Sequence, residues 1–203
     1  MILSGPEITR LHKRRPRTVT GAPGTLPFLE VTPFVPEHVG PNSLDLRLAP
    51  ELLVYRTQSQ LDEDADGTCH LRTYLDARRE NTTYPLTIPE GGLVLQPGTL
   101  YIGSTVERTE SHGLVPVING RSSIGRLGIS VHVTAGFGDD GFAGTWTLEI
   151  TVVHAVKVYP LMRVCQIAFH VLHGDRAPYK GRYAGQTGPV ASRMHQPTPT
   201  EIV

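Results

Sequence analysis

The run Gly120-Arg121-Ser122-Ser123-Ile124-Gly125-Arg126-Leu127-Gly128 suits a phosphate. Backbone N–H groups and the two hydroxyls can donate to it. The two arginines add charge-assisted, often bidentate bonds. Alone, such a run equally describes an ordinary helix cap, and it lacks the Lys and the spacing of a Walker loop. A second group, Thr134-Ala135-Gly136-Phe137-Gly138-Asp139-Asp140-Gly141-Phe142-Ala143-Gly144, combines dense glycine with paired carboxylates. It reads as a tight loop where backbone approaches a ligand, or as a plain hairpin loop. The third feature is Glu149, the one acid in the apolar, Thr-rich stretch 145–153. Burying that carboxylate ionised is costly without a partner. It is therefore a surface residue or a functional acid with a shifted pKa. Periodicity alone favours the surface.

The elements around these groups read as strands. Leu44, Leu46 and Leu48 alternate with Asp45 and Arg47 within residues 42–53, and Leu93-Val94-Leu95 lies between Gly- and Pro-rich turns. Residues 100–106, 129–135, 145–153, 156–159 and 164–172 also have strand character. Helix is expected at Gly5–His12, where Ser4 and Glu7 fit a capping box, and as one turn at residues 122–127. Asp62, Glu63, Asp64, Asp66 and Gly67 form an acidic stretch without the ligand spacing of a Ca²⁺ loop, so a solvated loop is expected. One domain over residues 1–203 follows, with an N-terminal arm and helix in 1–36 and an extended, unpacked tail from about 173.

Composition agrees with a mainly β chain: 21 Gly, 17 Pro and few aromatics. Nineteen basic and nineteen acidic side chains cancel, which gives no electrostatic case for holding nucleic acid. The basic run His12, Lys13, Arg14, Arg15, Arg17 reads as a solvated segment. Two distant cysteines, Cys69 and Cys165, make no disulfide framework, and Cys165 sits in an apolar run that suits a core. The N-terminus lacks a signal-peptide pattern and no window is long and apolar enough to span a membrane, so a cytoplasmic protein is expected.

The segment 118–128, followed by Val131-His132-Val133-Thr134-Ala135-Gly136, Asp139, Gly141-Phe142, Gly144 and Leu148-Glu149, resembles the signature of the dCTP deaminase family of the trimeric dUTPase-like superfamily. Flanking pieces are also similar: residues 43–48, Gln96-Pro97-Gly98 with Gly103-Ser104-Thr105, and Tyr183, Gly185-Gln186, Gly188 and Ser192-Arg193 near the end. The resemblance implies a mainly β, dUTPase-like distorted barrel or jelly roll with a short N-terminal helix. It implies a homotrimer with sites at subunit interfaces and a C-terminal tail closing over the nucleotide.

The implied reaction is zinc-independent deamination of dCTP to dUTP and ammonia. The His-x-Glu and Pro-Cys-x-x-Cys ligands of zinc deaminases are missing from the sequence. By resemblance Glu149 is the base that activates water, with Ser122 and Arg126 orienting it. Val133, Thr134 and Ala135, with Thr147 and Leu148, would contact the nucleoside, and Asp139 the deoxyribose 3′-OH. Phe142 would pack beneath the sugar loop. Arg121, Ser122, Ser123, Ile124, Gly125 and Arg126, with Gln166, Tyr179, Arg182 and Gln186, complete the nucleotide-binding set. Mg²⁺ would arrive on the triphosphate.

The chain departs from the family pattern at several positions. Gly138 replaces a usual Ile, Asp140 a common Pro, and Arg182 a usual Lys. The usual Asn after Glu149 is absent, and a Pro-Gly-Met turn reads Pro160-Leu161-Met162. Gly136 and Gln166 resemble bifunctional members that continue to dUMP and diphosphate, a small residue at 136 leaving room for a second water. Continuation to dUMP, dUTP hydrolysis alone and a catalytically dead nucleotide-binding scaffold therefore stay open beside deamination.

Overall fold

The computed structural model describes residues 1–13, 27–57, 60–63 and 66–197, with the backbone alone described for 60–63. Helix α1 (Gly5–His12) leads into β1 (Phe28–Thr32), β2 (Leu44–Arg47), β3 (Glu51–Tyr55), β4 (Gln60–Glu63) and β5 (Cys69–Arg72). There follow β6 (Thr83–Thr87), β7 (Leu93–Leu95), the long β8 (Tyr101–His112) and β9 (Leu114–Gly120). The short helix α2 (Ser122–Gly125) precedes β10 (Ile129–Ser130), β11 (Ala143–Val152), β12 (Val156–Val158) and β13 (Arg163–Val171).

All pairings are antiparallel. The largest sheet runs β10-β11-β8-β3-β6, with β1 also on β8, and a second runs β2-β13-β9. The pairs β12-β7 and β4-β5 stand apart. The chain is mainly β, as its alternation implies, and no closed barrel forms among the described residues. Leu44, Leu46, Leu48, Leu148, Ile167 and Phe169 meet in one apolar cluster, each almost fully removed from water. Each such side chain contributes about 1.5–3 kcal/mol relative to exposure.

Several local expectations need correction. Ser4 occupies the N-cap of α1 and its carbonyl accepts from Ile8 N–H, but its side chain makes no capping bond. Glu7 binds Arg10 Nε at 2.7 Å instead of reaching back, so the capping box does not form. The run 42–53 splits into β2 and β3, because Pro50 lacks the N–H a continuous strand needs. The acidic stretch belongs to a hairpin, β4 and β5, with Gly67 in the connecting turn at φ 85°. Asp64 lies outside the described residues, as do Arg14, Arg15 and Arg17 of the basic run.

Residues 129–135 do not form one strand. After Ser130 the chain leaves β11 and crosses to β9, where Ile118 N–H donates to Gly136 O at 2.7 Å and Gly138 N–H to Pro116 O at 2.8 Å. Val133 is consequently 70% exposed. Strands β1, β6 and β9 lie in segments whose Pro and Gly content hides their alternation, Pro85 sitting inside β6 and Pro116 inside β9.

Candidate active site

The pleat of β11 sets the site. Gly144, Trp146, Leu148, Ile150 and Val152 are buried on one face, whereas Thr145, Thr147 and Glu149 stand half-buried on the other. Glu149 and Thr147 thereby line a cavity of about 470 Å³, with Ile102 of β8, Asp139, Tyr179 and Gln186 around them. Glu149 is neither a surface acid nor a sealed one. Burial pushes its carboxyl above the ordinary range, and the charge of His132 opposes this. Thr147 Oγ1 is buried without a hydrogen-bond partner among the described residues.

The loop after β10 forms one wall. Asp139 is exposed at its rim, while Asp140 turns inward and binds Arg176 at 2.8 Å. A β-carbon on Gly136 would lie 2.5 Å from Ile118 O and 2.6 Å from His132 Nε2. The small residue therefore allows close backbone approach, and Gly136 also lines an open hollow beside His132. Phe142 packs against Trp146 with ring centroids 4.5 Å apart, as its expected supporting role requires.

The tail carries no helix or strand among the described residues, yet it is packed, contrary to expectation. Thr145 and Gln186 exchange two bonds of 3.0 Å, Thr145 N–H to Gln186 O and Gln186 Nε2 to Thr145 O. Tyr179 N–H donates to Asp140 O at 2.7 Å, and Ser192 N–H to Tyr55 Oη at 2.8 Å. Backbone groups of β11 and of the 135–141 loop capture the tail, which its Gly- and Pro-rich composition conceals.

Among the expected site residues, Ala135, Asp139, Thr147, Glu149, Tyr179 and Gln186 meet at this cavity. Val133 and Thr134 line a second, more open hollow of about 450 Å³ beside Gly120 and His132. The α2 residues do not reach Glu149 within the chain. Ser122, Ser123, Gly125 and Arg126 point to solvent. Arg121 is held by Asp45 at 3.0 Å and donates to Arg163 O at 3.0 Å. Within one chain Ser122 and Arg126 do not stand beside the base, because α2 follows β9 in the other sheet.

Ile124, 4% exposed, and Leu148, 0% exposed, point into the core and can meet a ligand only through backbone. Gln166 accepts from Ser43 Oγ and donates to Gly120 O, at the root of α2 and away from the cavity. Arg182 Nε donates to Gln196 O at 2.6 Å and does not line the cavity. Tyr55 and Ile102 line it without any signal in the sequence, and Tyr183 lines it with only its resemblance to the family's tail to mark it. Trp146 and Arg176 were also missed; the unusual Gly138 and Asp140 were their only trace.

A family model described as dCTP deaminase-like matches residues 2–172. The chain belongs to this family. A relative from Cytophaga hutchinsonii named "dCTP deaminase, dUMP-forming" is 47% identical over 167 residues, 82% of this chain and 88% of that protein. One of the same name from Hathewaya histolytica is 43% identical over 190 residues, 93% and 94% of the two chains. The crystal structure of 2′-deoxycytidine 5′-triphosphate deaminase from Agrobacterium tumefaciens aligns with a TM-score of 0.57 at 21% identity. That match covers 85% of this chain and 48% of the other, and it bears on the fold alone. No described helix is long and apolar enough to cross a membrane. Among the described residues no three His, Cys, Asp or Glu side chains form a group able to hold a metal ion.

Proposed function

We propose that this chain hydrolyses dCTP to dUMP, consuming two waters and releasing ammonia and diphosphate. The observation that carries the reading is Glu149, a half-buried carboxyl with a raised pKa on the floor of a nucleoside-sized cavity. Such a carboxyl is basic enough to take a proton from water as it attacks cytosine C4. It then delivers protons to N3 and to the departing ammonia, which balances the first hydrolysis. Asp139, exposed at the rim of the same cavity, takes the role of accepting from the deoxyribose 3′-OH and assisting water attack at the α-phosphate. The curated relatives' shared name favours continuation to dUMP over release of dUTP.

The phosphates need α2, which faces away from Glu149 in its own chain. In the proposed assembly, a homotrimer of single-domain subunits, α2 of one copy supplies Arg121, Ser122, Ser123 and Arg126 to the cavity of the next. Exposed Val133 and Phe137 near α2 fit a surface that another copy covers. Tyr179, Gln186 and Arg182 bring the tail over the nucleotide, which excludes water. Mg²⁺ would be carried by phosphate oxygens and water, where it neutralises charge, since the described side chains offer no cage.

The test follows ammonia, diphosphate and dUTP separately with dCTP as substrate. Equal release of ammonia and diphosphate without dUTP build-up is expected. Accumulating dUTP means that the reaction stops after deamination. Diphosphate release from dUTP with no ammonia from dCTP would overturn the deaminase reading.

A further inference from the structure

Asp140 has no part in the chemistry above, yet three segments converge on it. It is 5% exposed. Its Oδ1 accepts from Gly113 N–H at 2.6 Å and from Arg176 Nη2 at 2.9 Å, and its Oδ2 accepts from Arg176 Nε at 2.8 Å. The carbonyl of the same residue accepts from Tyr179 N–H at 2.7 Å. The Arg176 side chain is 14% exposed, so the fork is largely shielded from solvent. Gly113 lies in the turn between β8 and β9, and its own carbonyl accepts from Leu172 N–H at 3.2 Å, where the tail begins. Asp139, one residue before, and Tyr179, three after Arg176, both line the cavity.

We propose that Asp140 and Arg176 form a positioning pair that fixes the start of the tail on the Asp139 loop before any nucleotide binds. The inference rests on the reading that the cavity is the nucleotide site. A bidentate Arg–carboxylate pair sets orientation as well as distance, which a lysine's point charge does not. Because the pair is made in the free protein, Tyr179 meets the nucleotide already ordered, and binding loses less conformational freedom. Neither side chain touches the reacting atoms. The pair therefore acts on substrate capture and leaves the proton chemistry of Glu149 alone.

Two variants test this. Arg176→Met removes the fork, and Asp140→Asn/Arg176→Met removes both charges, so that no buried charge stands unpaired. Without nucleotide, hydrogen exchange of the Tyr179 amide should speed up by roughly tenfold or more in both, while amides of β11 keep their protection. With dCTP, KM should rise about tenfold, kcat should stay within about twofold and the acid limb of the pH profile should not move. Arg176→Lys should restore KM only in part. Unchanged Tyr179 exchange, or a loss confined to kcat in folded protein, overturns the pair's role. A wild-type chain that orders its tail through the pair but does not turn over dCTP sustains the pairing and overturns the nucleotide reading instead.

Discussion

The six-membered ring of Trp146 fills the space that a side chain on Gly138 would need. A β-carbon at Gly138 would collide with Trp146 Cη2 and lie 2.9 Å from Pro116 Cγ. The indole cannot step aside cheaply, because its Nε1 donates to Thr109 Oγ1 and its backbone N–H to Thr105 Oγ1, each at 2.9 Å. Gly138→Ile, which installs the family's usual residue, should therefore destabilise the fold by about 1–3 kcal/mol. Trp146→Leu in the same chain should recover part of that loss. Urea denaturation of the two single variants and the double variant measures the coupling; additive losses would show that the two positions do not share space.

Glu149→Gln should lower ammonia release from dCTP by about 10²–10⁴-fold while leaving a folded protein. The base works ionised, and burial raises its pKa. The kcat/KM of the wild type should therefore fall with decreasing pH beginning above the ordinary carboxylate range. Stability has the matching sign. A folded-state pKa above the unfolded one favours the folded protein below the unfolded value, and that advantage is lost as pH rises through the folded one. Glu149→Gln should thus melt higher than wild type near neutral pH, with the gap closing in acid. Calorimetry at several pH values checks this.

Leu161 holds φ at 62°, the left-handed region, at the position where a Pro-Gly-Met turn has glycine. Leaving that region unoccupied by a β-carbon relieves about 1–2 kcal/mol, part of which glycine returns through its freer unfolded chain. Leu161→Gly should stabilise the protein by about 1 kcal/mol or less and leave dCTP kinetics unchanged. Paired denaturation curves decide it; a lower midpoint would mean that the exposed leucine side chain stabilises the turn.

The two cysteines should separate cleanly toward a thiol reagent. Cys69 is exposed, while Cys165 is fully buried and burial pushes its thiol far above the usual range. Titration with an aromatic disulfide should count one reactive thiol in the native protein and a second only in denaturant. Two fast thiols in the native state would contradict the burial of β13.

Much of this was legible because strand alternation survives in the sequence wherever one face is buried. Most of β11 reads correctly as a strand, expected at 145–153 and found at Ala143–Val152, and α1 has the same bounds in sequence and structure. What alternation could not supply was the meaning of the second face. Glu149 looked like a surface residue because period two says only that it opposes Leu148, not that Tyr55 and the tail roof over it. The stretch 129–135 failed for a related reason. Its alternation is good, but the bonds from β9 to Gly136 and Gly138, which pull it off β11, come from residues no local pattern connects. The tail's packing was hidden because it is held by backbone groups, which no local pattern marks, together with side chains that pair across distant segments.

In β11 the residues that close the core and the residues that face the cavity are interleaved, one after the other. Unless a bulge absorbs it, a mutation that adds or removes a single residue between Trp146 and Glu149 reverses the pleat beyond that point for both sets. It would rotate the carboxylate into the space of Leu148 and turn a leucine or isoleucine toward the cavity. The strand thus drifts more readily by substitution than by insertion, since one unabsorbed extra residue would displace the core face and the base in the same step.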